Sequence, residues 1–422
     1  MYWIFIGLTL IMKLHWKILI AMLLGVSTGL LFDSLKVKNA LFFDLIILIG
    51  DIFIKLLKMV IVPLVFTSIT IGVSSIKNRS KIRRLSTKTF LYYISTSFIA
   101  ILIGLALANT IQPGIGASTI SNAGIYDTSN LSSSSMFDIL KRMIPSNPIS
   151  AFANGDMLSI IFFAVFFGIT MSLISSEKSS PVLNVVSSIY HIIIKMTQGI
   201  INLAPFGVFS LMFKAISLSG ITIFRELGMY ALTIIVGLSI HLFIIIPLIL
   251  ILFTKVNPIK HFKAIAPAML TAFSTSSSSA TLPVTMKCVK ENIKVSDETS
   301  SFVLPMGSTI NMDGTALYEC AGVLFIAQAL GIPLDAGQQF IVVITALLAS
   351  IGAAGIPSAG LVMLFIVTDA VGLKSDAVAL WVGSMLAIDR PLDMFRTMVN
   401  ISSDSVGAAV IAKSEGENLY SD

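Results

Sequence analysis

Apolar runs too long for an ordinary soluble core recur along this chain, at about 15–33, 41–76, 86–112, 157–176, 182–218 and 222–254. A helix needs roughly 20 apolar residues to cross a bilayer, and longer runs cross tilted or broken. In hydrocarbon every backbone polar group must be satisfied internally, so an all-α polytopic membrane protein is expected. Hydrophobic residues make up 55% of the 422, and charged residues only 12%, about half the share of roughly 25% in soluble domains. That composition excludes a cytosolic enzyme, a disordered chain and a nucleic-acid-binding module. The formal charge of +6 does not imply nucleic acid, because the lysines and arginines sit in short loops between apolar runs. Cys288 and Cys320 lie in or beside apolar segments and read as small inert side chains, not as a disulfide framework. The opening Met1–Met12 run is too short to span, and with no cleavage site before Lys13 it is expected to be retained.

Orientation follows from the basic residues. Lys77, Arg79, Lys81, Arg83 and Arg84 place five positive charges in eight residues, the strongest cytoplasmic mark in the chain. With that loop inside, the N-terminus is inside and the Ser-rich 113–149 loop is outside. The sixth run then ends inside, near Lys255, Lys260 and Lys263. Ala264–Met286 follows, 23 residues without a charge, yet Lys287, Lys290 and Lys294 come directly after it. Lysines at both ends, with Ser274-Thr275-Ser276-Ser277-Ser278-Ser279 between, predict a hairpin that enters from the cytoplasm, turns at the serines and leaves on the same side. An ordinary Ser-rich span is the competing reading. A second interrupted segment covers about 337–372. Its centre, Ser350–Gly360, holds three glycines and a proline, which a continuous helix tolerates poorly. Two such segments are the mark of a transporter built from repeated halves.

The intramembrane charges are the most informative residues. Asp389, Asp393, Arg396, Asn400 and Asp404 are spaced 4, 3, 4 and 4 apart on a helix expected to begin near Val378. At about 100° per residue they fall within an arc of roughly 80°. Ionised groups at membrane depth cost at least about 2.5–3.5 kcal/mol each, so this face must meet protein, water or ligand. A solvated cytoplasmic helix is the alternative, and the surrounding Met394, Phe395, Met398, Val399 and Ile401 argue against it. A second cluster, Gly307-Ser308-Thr309-Ile310-Asn311-Met312-Asp313-Gly314-Thr315, lies in a span from about 297 to 330, with a helix interruption expected at Gly314. An unwound turn there frees carbonyl oxygens beside carboxylate and amide, the ligands a hard cation needs. Glu319 lies about 600° further round a continuous helix than Asp313 and is expected to do a different job. Tyr92-Tyr93-Ile94-Ser95-Thr96-Ser97, taken alone, reads as interhelical contacts.

The serine-rich hairpin, Asn311-Met312-Asp313-Gly314-Thr315, the second tip Ser350–Gly360, and Asp393-Met394-Phe395-Arg396-Thr397-Met398-Val399-Asn400 with Asp404 together resemble the sodium:dicarboxylate symporter family. Its members include the excitatory amino-acid transporters and the archaeal aspartate transporters. The resemblance covers nearly the whole chain. It implies eight transmembrane helices, two re-entrant helical hairpins and inverted repeats in a homotrimer that works as an elevator. Scaffold helices would occupy 15–76 and 150–218. The transport domain would comprise 84–112 and 222–416, with hairpins at 258–292 and 336–373.

Carried over residue by residue, the resemblance makes Arg396 the partner of the substrate side-chain carboxylate and Asp393 the partner of its ammonium. Thr397, Asn400, Thr315, Ser278, Ile356 and Gly360 complete that set. One Na⁺ site would use Asp404, Asn400, Asn311 and Gly307. A second would use Thr309, Met312, Ser350 and Ile351. A third would use Asp313, Asn311, Tyr93, Thr96 and Ser97, which gives the polar patch a role its composition did not suggest. The resemblance implies no cofactor, Na⁺ as coupling ion, and H⁺ and K⁺ as further candidates. It also implies a multi-pass protein of the plasma membrane, or of a bacterial inner membrane, with both termini cytoplasmic. Two positions depart from the family. Some members carry an additional arginine where Ser276 or Met394 stands here, leaving Arg390 as the candidate replacement. Glu319 resembles the proton-carrying glutamate of the proton- and potassium-coupled animal carriers, where the archaeal transporters have glutamine.

Uptake of acidic amino acids is therefore the leading expectation, with a C4-dicarboxylate symporter as the alternative. An intramembrane hydrolase using Ser276–Ser279 would need a base. His15, His191, His241 and His261 form no local motif with those serines. An ion channel would not need a lone arginine and aspartates on one helix face.

Overall fold

The computed structural model describes residues 14–35, 40–74, 80–117, 143–219, 223–353 and 358–420. Those residues fold into helices joined by short turns, with no strand among them. The opening run, residues 75–79 of the basic loop, 118–142 of the Ser-rich loop, and Ile356 in the second tip lie outside the described residues.

The first apolar runs form α1 (Leu14–Leu35) and α2 (Ala40–Ser74), and α3 spans Ser80–Ile111. After the short α4 (Pro148–Asn154) come α5 (Met157–Leu173), α6 (Ser176–Asn202) and α7 (Ala204–Ser219). The run expected at 182–218 is not one straight helix: α6 and α7 meet at a 53° bend. Pro205, in the first turn of α7, cannot supply the N–H that would continue the ladder across that junction. Ile223–Thr254 is one long element, made of α8 (Ile223–Ile240), a π-turn at His241–Ile245 and α9 (Ile246–Thr254). Among the described residues two helices are long and apolar enough to cross a membrane, Arg84–Ile111 and Ile223–Thr254, and the bent pair adds a third only if it is counted as one span. Large apolar side chains face outward on several helices, Leu41, Leu252 and Phe253 each more than three-fifths exposed. A bilayer rewards such a surface and water does not.

The C-terminal half begins with two short helices that turn back on each other. Helix α10 (Pro258–Thr275) ends at Ser276, whose φ of 52° reverses the chain, and α11 (Ser278–Cys288) starts from a Ser277 cap. A π-turn at Val289–Ile293 leads to α12 (Asp297–Ile310) and α13 (Asp313–Ala329). The interruption between α12 and α13 falls at Asn311 and Met312, not at Gly314. Both residues leave helical ψ, at 86° and 53°, while Gly314 is helical. A second helix–turn–helix follows, α14 (Ala336–Gly352) and α15 (Ala359–Ala370), opened by a capping box on Asp335. The chain ends in α16 (Asp376–Ser414), a helix of 39 residues.

Helices α13 and α15 lie at the centre. Every residue of α13 except Gln328 is buried, and every residue of α15 except Asp369. Neither needs a polar face, because other helices cover both all round. Helix α16 packs on α7 through α13 and on α15, and α13 packs on α3, α14, α15 and α16. A second layer, joined to the first through α7 on α16 and α2 on α14 and α15, is made by α1 on α7 and by α2 on α5, α6 and α7.

The last residues strap one end of this bundle. Glu415 accepts hydrogen bonds from Arg84 Nε at 3.1 Å and Lys88 Nζ at 2.6 Å, tying α16 to α3. Those two cations, Arg84 first, hold its carboxyl below the usual glutamate range. A carboxylate depressed in the folded state stabilises above its unfolded value and loses that contribution as pH falls through the folded one. Glu415→Gln is therefore expected to melt at lower temperature than wild type at pH 7. The gap should close as the pH drops below about 4. Scanning fluorimetry of the detergent-solubilised protein checks it, and a gap that persists in acid would assign the loss to packing.

Candidate functional site

The face read from the sequence is interior. Asp389, Asp393, Arg396, Asn400 and Asp404 are each at most 6% exposed. Arg396 Nη2 donates to Asp389 Oδ1 and to Asp393 Oδ1, both at 2.8 Å. Its Cζ lies 3.8 Å from the centre of the Tyr318 ring on α13, which supports the guanidinium from one side. Nε and Nη1 have no partner. The second oxygen of Asp393 accepts the backbone N–H of Ser358 at 2.9 Å, which docks the second hairpin tip directly on this carboxylate. Ser358 holds φ of 60°, the left-handed turn that lets the chain enter α15. A side chain on Gly360 would stand 3.4 Å from Arg396 Nη1 and 3.2 Å from Thr315 Cγ2, so its absence keeps the space beside the guanidinium open. Thr397 is buried one turn beyond Asp393 and donates to its carbonyl at 2.8 Å. Ser278 is buried in the first turn of α11, which packs on α10, α12 and α16. With methionine at 394, the second basic neighbour of Asp393 after Arg396 is Arg390, its Nη1 4.0 Å from Oδ2.

A second polar network surrounds the break between α12 and α13. Asn311 Nδ2 donates to Asp404 Oδ1 at 2.9 Å and to Ser403 Oγ at 3.0 Å, while its Oδ1 accepts from Thr96 Oγ1 at 3.3 Å. Asp313 Oδ1 accepts from Ser97 Oγ at 2.7 Å, and Oδ2 lies 3.0 Å from His241 Nε2. Asn400 Oδ1 caps the N–H of Gly314 at 2.8 Å, and its amide nitrogen meets Met312 Sδ at 3.3 Å. Tyr93 donates to the Val303 carbonyl at 2.9 Å. A Cβ on Gly307 would collide with Asp404 Oδ1 and the Tyr93 hydroxyl, which explains glycine there. Thr309 and Ile351 line one cavity of about 280 Å³ with Met306, Ile310 and Ala353. Ser350, also buried, turns its hydroxyl back to the Leu347 carbonyl at 2.8 Å.

Charge balance separates the two networks. Asp389 and Asp393 share a guanidinium. Asp404 is fully interior with only amide donation to its carboxylate, and Asp313 has a hydroxyl and an imidazole. Buried carboxylates without a cation are costly unless they bind one or hold a proton, and the oxygens here suit a hard cation. Glu319, also on α13, is completely buried with neither carboxyl oxygen hydrogen-bonded.

Three participants were not legible beforehand. His241 sits alone in an apolar run, Tyr318 is adjacent to a singled-out residue without any spacing signal, and the Ser358 contact is made by backbone.

Comparison with known proteins points one way. A family model described as the sodium:dicarboxylate symporter family matches residues 14–414. Human excitatory amino acid transporter 3 is 33% identical over 97% of this chain and 87% of its own length. Human excitatory amino acid transporter 2 is 33% identical over 99% of this chain and 83% of its own. A Caenorhabditis elegans protein named as a sodium-dependent excitatory amino acid transporter is 34% identical over 86% and 82%.

A close backbone-to-backbone helix crossing at the site yields a prediction of its own. A Cβ on Gly314 would come within 2.9 Å of the Arg396 carbonyl and 3.0 Å of its Cα, both backbone atoms. Gly314→Ala must push α13 from α16 and should cost about 1–3 kcal/mol. A lowered melting temperature is the expected readout. An unchanged one would mean that the helices are not held this closely in solution.

Proposed function

The chain belongs to the sodium:dicarboxylate symporter family, and on that premise we propose that it is a Na⁺-coupled secondary carrier taking up acidic amino acids across the plasma membrane. The observation that carries the reading is Arg396: a fully buried guanidinium whose Nη2 is held by two carboxylates while Nε and Nη1 stay unpartnered. Buried unpaired N–H groups are costly, and a substrate carboxylate would satisfy them with charge-assisted bonds. Asp393 would receive the α-ammonium, exchanging the Ser358 N–H for it. Thr315, Thr397, Asn400, Ser278, Ile356 and Gly360 would shape the rest of the site. A C4-dicarboxylate has no ammonium to offer Asp393, which is why the amino acid is preferred.

Na⁺ binding accounts for the carboxylates that lack a cation. Asp404 with Asn400, Asn311 and Gly307 forms one proposed site. Asp313 with Asn311, Tyr93, Thr96 and Ser97 forms another, and Thr309, Met312, Ser350 and Ile351 a third. Cation and substrate would stabilise the same closed second hairpin, so each raises the other's affinity. The proposal includes eight membrane-spanning helices with re-entrant hairpins at 258–292 and 336–373, and both termini cytoplasmic. It also includes three copies, each with a scaffold of 15–76 and 150–218 and a transport domain of 84–112 and 222–416 moving as an elevator. Support for that division comes from the packing of α1, α2, α5, α6 and α7 into their own layer. Glu319, buried and without a hydrogen-bond partner, is the proposed proton carrier, with K⁺ as the candidate counter-ion on the return step.

Uptake of radiolabelled aspartate, glutamate and succinate into proteoliposomes, with imposed Na⁺ gradients, tests the assignment. Aspartate and glutamate should accumulate only with Na⁺ outside. Equal uptake in choline would refute the coupling, and preference for succinate would favour the dicarboxylate alternative. Arg396→Cys should lose both acidic amino acids, since the partner charge is gone. Unchanged aspartate affinity in that variant would remove Arg396 from the site. Glu319→Gln mimics the protonated acid, so exchange of internal for external substrate should survive while net uptake and its pH dependence disappear. Normal pH-dependent net uptake by Glu319→Gln would end the proton-carrier role.

A further inference from the structure

His241 and Asp313 form a fully buried pair that the roles above leave unexplained. Both side chains are 0% exposed, and the imidazole Nε2 stands 3.0 Å from Asp313 Oδ2. Cation binding needs Asp313 ionised, and an ionised carboxylate only accepts, so in that state the ring proton is on Nε2 and the imidazole donates. His241 Nδ1 has no partner. The ring is thus not a core histidine satisfied at both ends: its one polar contact is with Asp313. The opposite carboxyl oxygen is held by Ser97 Oγ at 2.7 Å, so two donors on two different helices, α3 and the 223–254 element, fix the plane of the carboxylate.

The backbone that delivers this ring is irregular at the same point. His241 begins the π-turn, and the N–H of Ile246 reaches back five residues to its carbonyl. Pro247, one residue further, brings no N–H to the ladder, and the extra residue of the π-turn absorbs that defect. An inserted residue shifts every later position by about 100° round the helix. His241 stands where the regular α8 surface ends, on an element that packs against α3, α13 and α16. The groups nearest in the network are Ser97, Thr96, Asn311 and Asp404, none of them a cation.

We propose that His241 is a positioning residue for the Asp313 cation site: its Nε2–H holds one carboxyl oxygen and so aims the other, with Ser97, at Na⁺. The inference rests on the Na⁺-coupled reading above and adds a residue to it. A donor behind a ligating carboxylate fixes the ligand before the ion arrives. Without it the carboxylate turns, and ordering it again costs part of the binding energy. Loss of such outer partners weakens metal binding by roughly 10–100-fold.

The test is Na⁺ titration of radiolabelled aspartate binding to the purified, detergent-solubilised protein, with the Na⁺-induced rise in melting temperature as a second readout that needs no amino acid. His241→Leu should raise the Na⁺ concentration for half-maximal binding about ten-fold or more. Its aspartate affinity at saturating Na⁺ should stay near that of wild type. His241→Gln, whose amide nitrogen reaches the position of Nε2, should restore the wild-type Na⁺ requirement. His241→Asn, one carbon shorter, should not. The Gln and Asn variants keep the comparison available if His241→Leu fails to fold. Wild-type Na⁺ dependence in His241→Leu, or equal impairment of Gln and Asn, overturns the positioning role. A wild type that binds aspartate equally in sodium and choline overturns the Na⁺-coupled reading and this inference with it.

Discussion

A guanidinium with no exposure to solvent sets the terms for the centre of this protein. Arg396 is compensated by Asp389 and Asp393 on its own helix and faced by the Tyr318 ring from the neighbouring one. Removing one partner of a buried ion pair typically costs about 3–5 kcal/mol, so these residues must stay in place together. Their place fixes others. Gly314 and Gly360 lack side chains where a Cβ would press on Arg396 backbone or crowd its Nη1, and Ser358 turns left-handed to set its N–H on Asp393. The second hairpin, the broken α12–α13 element and α16 therefore meet at one residue.

The second polar network depends on the break in a further way. Helix α12 stops at Ile310 and α13 starts at Asp313, so Asn311 and Met312 leave the ladder and turn amide and sulfur toward α16. Asn400 then caps the restarted helix at Gly314. One asparagine thus satisfies a helix N-terminus and sits beside both networks, which on the proposed reading couples ion and substrate occupancy. No long-range wire is required, because Asp404, Asn400 and Arg396 lie on successive turns of a single helix.

Much of the fold was legible because hydrocarbon removes alternatives. Long apolar runs force helices, and the runs at 15–33, 41–76, 86–112 and 222–254 correspond to helical elements at nearly those bounds. Interruptions were less legible. Gly314 looked like the breaking residue because glycine is a poor helix former, yet tertiary contact with α16 keeps it helical and the turn falls at Asn311–Met312. The bend between α6 and α7 and the π-turn at His241 likewise reflect packing and proline placement more than run length.

The sequence by itself determined the helical class and the polar face of α16, because a 3.6-residue period fixes which side chains share a side before any partner is known. It also marked Asp313 and Glu319, since a carboxylate in an apolar run must have a reason to be there. Which groups meet across helices was decided only in three dimensions. Ser97 and His241 reach Asp313 from positions 216 and 72 residues away in the chain. Neither distance carries any periodic signal. Arg396 is left with two open nitrogens, and Glu319 with none of its oxygens bonded, because the surrounding helices pack to particular depths and angles. Those depths are set by the volumes of side chains far apart in the chain, which no local pattern records.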